Sequence, residues 1–188
     1  MFHMEQKYSK DIKLEIVIQL LKEKNHIRNL ARAIITNHTT VIRKVKELLN
    51  ENILDYKLEG KNKVYFLKKT GEAKTLIISA ELYKLNKTLK KYPRLRAIIE
   101  SLQKNKKINL VLLFGSYSKE LAKEDSDIDI YISPYNLKIK EEIQIENDNL
   151  SIKGGEYNLN DPLVKEIEKD HVIIKGFENY YEQNRFFE

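Results

Sequence analysis

The chain has 188 residues and a mass of 22.3 kDa, room for one large domain or two small ones at the usual ~100–150 residues each. Hydrophobic residues at 41% and charged residues at 33% exclude a disordered chain, and the absence of cysteine excludes a disulfide framework, a thiolate metal site and a cysteine nucleophile. The net charge of +6 is unevenly spread: up to Lys91 there are 20 Lys+Arg against 10 Asp+Glu, and beyond it 14 against 18.

A basic half suits a polyanionic partner, whereas an acidic half is a poor nucleic-acid surface unless its carboxylates hold a metal. Two halves with two tasks is the economical reading. His3, His26, His38 and His171 are too scattered for a zinc cluster, and no stretch approaches the ~18 consecutive apolar residues of a membrane span. The first residues, MFHMEQKYSKD, lack the apolar core of a signal peptide. The expectation is a soluble cytoplasmic protein with no membrane partner.

In chain order, Ile12, Ile16, Val17, Leu20 and Leu21 fall at helical spacing, which predicts an amphipathic helix from Asp11 to Lys24. A shorter helix is predicted over Ile27 to Ile34, with Leu30, Ala31 and Ile34 inward. The stretch Ile35-Thr36-Asn37-His38 breaks the pattern, and Asn37 is a good N-cap because its side-chain oxygen can accept a free backbone N–H. A third helix then runs to about Asn50. Val41, Ile42, Val45, Leu48 and Leu49 make its apolar stripe, leaving Thr39, Thr40, Arg43, Lys44 and Lys46 on the polar side. Short polar and cationic side chains near a helix N-terminus can reach phosphates and base edges. Next, ILDYKLEGKNKVYFLKK holds two strand-like runs around Gly60-Lys61-Asn62, a hairpin with a basic tip.

Three helices followed by such a hairpin resemble a winged helix-turn-helix over about Asp11 to Lys69. The resemblance implies that the third helix enters the major groove of double-stranded DNA, while the wing, with Lys57, Lys61 and Lys63, touches the backbone or minor groove. A protein-docking module with a solvated lysine face is the alternative. A long helix is predicted from Thr70 to Lys91, with Ile77, Ile78, Leu82, Leu85 and Leu89 in a stripe. At this place in winged-helix regulators a helix commonly dimerises, so the resemblance implies a homodimer; packing within the chain is the other reading. Pro93 restarts a helix to about Lys104.

Ile108 to Phe114 is a nearly continuous apolar run, suited to a strand covered on both faces. It ends in Gly115-Ser116, a sharp turn before a helix expected near Tyr117, whose free N–H groups would favour an anion such as phosphate. Ten residues after Ser116 comes Asp127, then strict alternation through Asp129 to Ile132. The alternation predicts a strand with Asp127 and Asp129 on one face at ~6.6 Å spacing. Two such carboxylates repel each other unless a cation sits between them, and hard oxygen ligands near phosphate favour Mg²⁺ or Mn²⁺.

Gly115-Ser116, ten residues, then Asp127-Ile128-Asp129 resembles the minimal nucleotidyltransferases related to DNA polymerase β. The likeness extends more weakly through DPLVKEIEKDHVIIKGFE and covers about Arg94 to Glu178. It implies metal-dependent transfer of a nucleoside monophosphate from a nucleoside triphosphate to a hydroxyl. Gly115 and Ser116 would bind the β- and γ-phosphates, and Asp127 and Asp129 would hold the metal and act as the catalytic acids. The family usually has a further Asp on a later strand between apolar neighbours. The comparable stretch here is Leu150-Ser151-Ile152, with Glu146, Asp148 and Glu156 as nearby substitutes. From Tyr135 to Glu156 neither period holds: Leu137, Ile139, Ile143 and Ile145 fit neither helix nor strand.

The expected fold is therefore α+β, a winged helix over 1–69, a connecting helix over 70–92 and a mixed-sheet nucleotidyltransferase-like domain over 93–188. Two functions compete. One is an enzyme modifying a small molecule, an RNA end or a partner protein. The other is a transcriptional regulator whose degenerate transferase domain only binds nucleotide or a partner. The five aromatics among residues 177–188 are expected to cover the sheet or a subunit contact.

Overall fold

The computed structural model describes residues 10–144 and 149–187. The chain divides into two compact units, 1–80 and 81–188, with the division inside one continuous helix.

In the first unit, α1 (Ile12–Lys22) starts at Asp11, whose carboxylate accepts the N–H groups of Lys13 and Leu14. α2 (Ile27–Ile34) is capped by His26 and α3 (His38–Asn50) by Asn37, whose Oδ1 accepts the Thr40 N–H at 2.7 Å. These side chains satisfy N–H groups that have no partner inside the helix. Ile16, Leu30, Ile34, Val41 and Leu48 are fully buried together, each contributing about 1.5–3 kcal/mol of transfer free energy. A hairpin of β1 (Leu54–Glu59) and β2 (Asn62–Leu67) pairs in antiparallel register from Leu54–Leu67 to Glu59–Asn62. The connection is thus two residues, Gly60-Lys61, and Asn62 belongs to the strand. Asn25 adds a bridge to Tyr65, tying the α1–α2 link to β2. The helix α4 (Gly71–Lys91) begins in this unit with Ala73 and Ile77 buried. Leu85 of the expected stripe is buried, but Leu82 is exposed, and Ala80, outside the stripe, is buried.

In the second unit, α5 (Leu95–Lys104) precedes a four-stranded mixed sheet in the order β5-β4-β3-β6. β3 (Leu110–Phe114) is antiparallel to both β4 (Ile128–Ser133) and β6 (Val172–Lys175), while β5 (Leu150–Gly154) runs parallel to β4. Strand alternation sorts the two faces. Val111, Leu113, Ile128, Ile130, Ile132, Leu150 and Ile152 share a core with Leu95, Ile98 and Leu102 of α5 and Ile139 and Ile143 of α7 (Leu137–Gln144). The ambiguous segment therefore resolves into a short helix and an edge strand. Ile145, Glu146 and Asp148 lie outside the described residues, as does His3.

The opposite face carries Asp129 and Tyr131 of β4, paired in register with Phe114 and Leu112 of β3 and with Ser151 and Lys153 of β5. Tyr131 begins a file of edge-to-face rings: Tyr157 at 5.7 Å, then Tyr180 at 5.8 Å, then Tyr181 at 5.0 Å. Tyr180 and Tyr181 lie on α9 (Phe177–Gln183) and are buried, so the aromatic tail covers this face of the sheet, as one of its two expected roles required. Glu168 of α8 (Pro162–Lys169) accepts the hydroxyls of both Tyr157 and Tyr180. Burial pushes those two hydroxyls above the ordinary tyrosine range, and the neighbouring Glu168 carboxylate adds to it.

Candidate functional site

The C-terminal end of β3 and the N-terminal ends of the parallel pair β4 and β5 meet at one place. Gly115 takes φ +71°, a conformation that costs an L side chain free energy, and a Cβ there would stand 3.1 Å from Cγ of Asp129 and collide with its Oδ2. Glycine is required because the carboxylate lies directly against the turn backbone. The following helix, α6 (Gly115–Ser118), starts at Gly115 itself rather than near Tyr117 and lasts a single turn. Its four residues develop little macrodipole, so the expected attraction for anions shrinks to local N–H groups. Ser118 fixes the turn by hydrogen bonding to the carbonyls of Gly115 and Asp170, at 3.0 and 3.1 Å.

Asp127 is exposed just before β4, and Asp129 is half-buried on it. Desolvation raises the Asp129 carboxyl above the usual carboxylate range. The Ser151 hydroxyl opposes this by hydrogen bonding, Asp127 adds repulsion, and Lys153 makes a smaller opposing contribution. The two acids therefore act on each other, and Asp129 lies against the turn. Ser151 stands directly beside Asp129 in the parallel register. Glu156 follows β5 at its far end, beyond Gly154, and takes no place beside the acids.

Three further residues position the site, and periodicity could not have found them. Arg94 donates to the backbone carbonyls of Lys123, Glu124 and Ser126, holding the loop that delivers Asp127, while its guanidinium lies 5.1 Å from the ring centre of buried Tyr117. Ser126, in the loop two residues before β4, accepts the Lys123 N–H with its hydroxyl, a loop contact rather than a metal contact. Lys153 points to the same side as Asp129, two residues beyond Ser151.

Two carboxylates that act on each other are hard donors that fit a divalent cation, with the remaining positions left to phosphate oxygens and water. Among the described residues no group of three or more His, Cys, Asp or Glu is arranged to hold a metal ion.

On the first unit, Thr39, Arg43 and Lys46 are exposed on α3 and Thr40 is half-buried. Lys44 is tied to Glu47 at 2.8 Å, an ion pair that holds Glu47 below the usual carboxylate range. On the hairpin Lys61 is at the tip, Lys57 pairs with Glu59, and Lys63 lies 3.9 Å from the Tyr56 ring centre. A concavity of about 280 Å³ brings Lys63 beside Arg28 of α2 and His38 of α3. His171 is buried with Nδ1 2.9 Å from the Ile167 carbonyl, a structural role. No helix among the described residues is long and apolar enough to cross a membrane.

Residues 96–185 match the family model described as Polymerase beta, Nucleotidyltransferase. No curated protein matches the chain. The match supports a nucleotidyltransferase domain within the second unit.

Proposed function

We propose that the second unit is a metal-dependent transferase that moves a nucleoside monophosphate from a nucleoside triphosphate to a hydroxyl acceptor, with pyrophosphate leaving. The single observation that carries the reading is the Asp129 carboxylate seated against the Gly115 turn with Asp127 beside it. Gly115 lets a phosphate chain approach the backbone, and the half-buried Ser116 adds a hydroxyl donor to it. Asp127 and Asp129 would hold Mg²⁺ or Mn²⁺, which when bound polarises the α-phosphoryl group and offsets charge as the bond breaks. Arg94 keeps Asp127 in place through its loop. Ser151 orients Asp129.

The test is calorimetry of a nucleoside triphosphate with Mg²⁺. Binding is expected to fall at least tenfold in Asp127→Asn and Asp129→Asn; equal affinity in wild type and both variants rejects the site. Incubation with α-labelled nucleotides and cell extract then asks whether label becomes covalently attached.

The first unit we read as a winged helix-turn-helix that binds double-stranded DNA, with Thr39, Thr40, Arg43 and Lys46 of α3 facing the groove and Lys57, Lys61 and Lys63 on the wing. The order of three helices and a hairpin, together with the basic surplus, supports this. A homodimer joined through α4 and control of the chain's own operon accompany the reading, and light scattering tests the dimer.

One observation favours a second reading, a non-catalytic regulator that binds nucleotide or a partner protein. Ser151 stands where a further carboxylate is expected. Label transfer by wild type that is absent in Asp127→Asn decides for the enzyme.

A further inference from the structure

We propose that the concavity between α2, the start of α3 and β2 is a site for a terminal phosphate, the phosphomonoester of a small solute or of a nucleic-acid end. The inference goes beyond the readings above and needs neither the transferase chemistry nor a helix in the major groove.

The concavity, about 280 Å³, is lined by His26, Arg28, His38, Asn62, Lys63 and Tyr65. The first five carry side-chain nitrogens that can donate hydrogen bonds, and they come from three separate elements and the link before α2. Its walls are fixed by contacts of their own. Asn25 and Tyr65 exchange backbone hydrogen bonds at 3.1 and 2.8 Å, which fastens the link before α2 to β2. His26 accepts the Asn29 N–H on Nδ1 at 3.4 Å, so its neutral ring carries the proton on Nε2 and is a donor there. The Lys63 ammonium lies 3.9 Å from the ring centre of Tyr56, the register partner of Tyr65, which keeps it on the Tyr65 side of the hairpin.

Arg28 and Lys63 thus bring two positive charges to one small recess. A backbone phosphodiester carries one negative charge and offers two free oxygens. A phosphomonoester carries about −1.5 to −2 at pH 7 and offers three. The second is the better match for two cations, with the guanidinium fork and the imidazoles supplying charge-assisted and neutral donors to the three oxygens. Arg28, His38, Asn62 and Lys63 are exposed, so a phosphate can enter while the group that carries it stays outside.

The experiment uses the full chain without divalent metal, so that the Asp127 and Asp129 centre takes no part, and inorganic phosphate as the probe. The imidazole signals of His26 and His38 are followed by nuclear magnetic resonance. Both are expected to move on titration while that of His171 stays still. Arg28→Gln and Lys63→Gln should each weaken phosphate at least tenfold, Arg28→Lys should recover part of the loss, and Lys69→Gln, which removes the same charge elsewhere on the unit, should change nothing. Imidazoles that do not respond to phosphate, or a response undiminished in both Gln variants, overturns the proposal. A short single strand with a 5′-phosphate, set against the same strand with a 5′-hydroxyl, then separates the two sources. A tenfold preference for the phosphorylated strand assigns the site to a nucleic-acid end, and phosphate binding without that preference assigns it to a small phosphomonoester.

Discussion

Asp129 is the residue on which the local energetics converge. Its carboxyl is raised by burial first, with Asp127 adding to the shift, so the folded chain holds this proton to higher pH than the unfolded chain does. The charged form then costs stability above the folded pKa, and that cost vanishes as pH falls below the unfolded value. Asp129→Asn is therefore expected to raise the melting temperature of the metal-free protein at neutral pH, with the difference closing on acidification through the carboxylate range. A melting temperature lower than wild type at neutral pH would contradict this. Gly115 gives the complementary test. Because a Cβ at 115 overlaps the Asp129 carboxylate and φ is positive, Gly115→Ala should displace that carboxylate and reduce triphosphate affinity at least tenfold. Far-ultraviolet circular dichroism should stay unchanged, since the collision is confined to one side chain.

Among the elements, the link between α2 and α3 stores strain that can be measured. Ile35 sits at φ +55° with 88% of its surface exposed, a conformation in which a β-branched side chain costs about 1–2 kcal/mol. Ile35→Gly should stabilise the first unit by about 1 kcal/mol, raising its melting temperature by roughly 4–8 °C; no gain would mean that Ile35 makes a contact offsetting the strain. Asn37→Ala should destabilise by about 1 kcal/mol through loss of the cap on α3. The start of α3 was legible in the sequence because the Asn37 cap and an apolar period agree there, and α2 was legible from its apolar positions alone, its His26 cap emerging only in the structure. β4 was legible for the same kind of reason, as isoleucines alternate with Asp129 and Tyr131. The segment after Tyr135 was not. α7 buries only Ile139 and Ile143, and β5 is a five-residue edge strand with two inward side chains, too few to establish either period. The early start of α6 was hidden because glycine at positive φ is a poor helix signal. Arg94 was hidden because the carbonyls it holds lie about thirty residues further along, a pairing that only the tertiary fold creates.

For the whole molecule, the basic surplus before Lys91 makes association with duplex DNA an electrostatic question. Retardation in gel shifts should weaken steeply with salt, and each phosphate contact removed should lower the slope of log affinity against log salt by ~0.9. Arg43→Ala with Lys46→Ala should show this more clearly than any change at Lys44, whose charge is already matched by Glu47. No retardation at low salt removes the DNA role. The file of rings from Tyr131 to Tyr181 has a practical corollary. With eleven tyrosines and no tryptophan, the near-ultraviolet optical activity belongs to phenols and phenyl rings, and the file begins one side chain away from Asp129 on the same face. The phenol of Tyr131, pushed up to about 12 by burial with Asp161 adding to it, stays un-ionised through any working buffer. The molecule thus carries its own spectroscopic gauge: occupancy of the acidic end can be followed without a dye, a tag or an engineered indole.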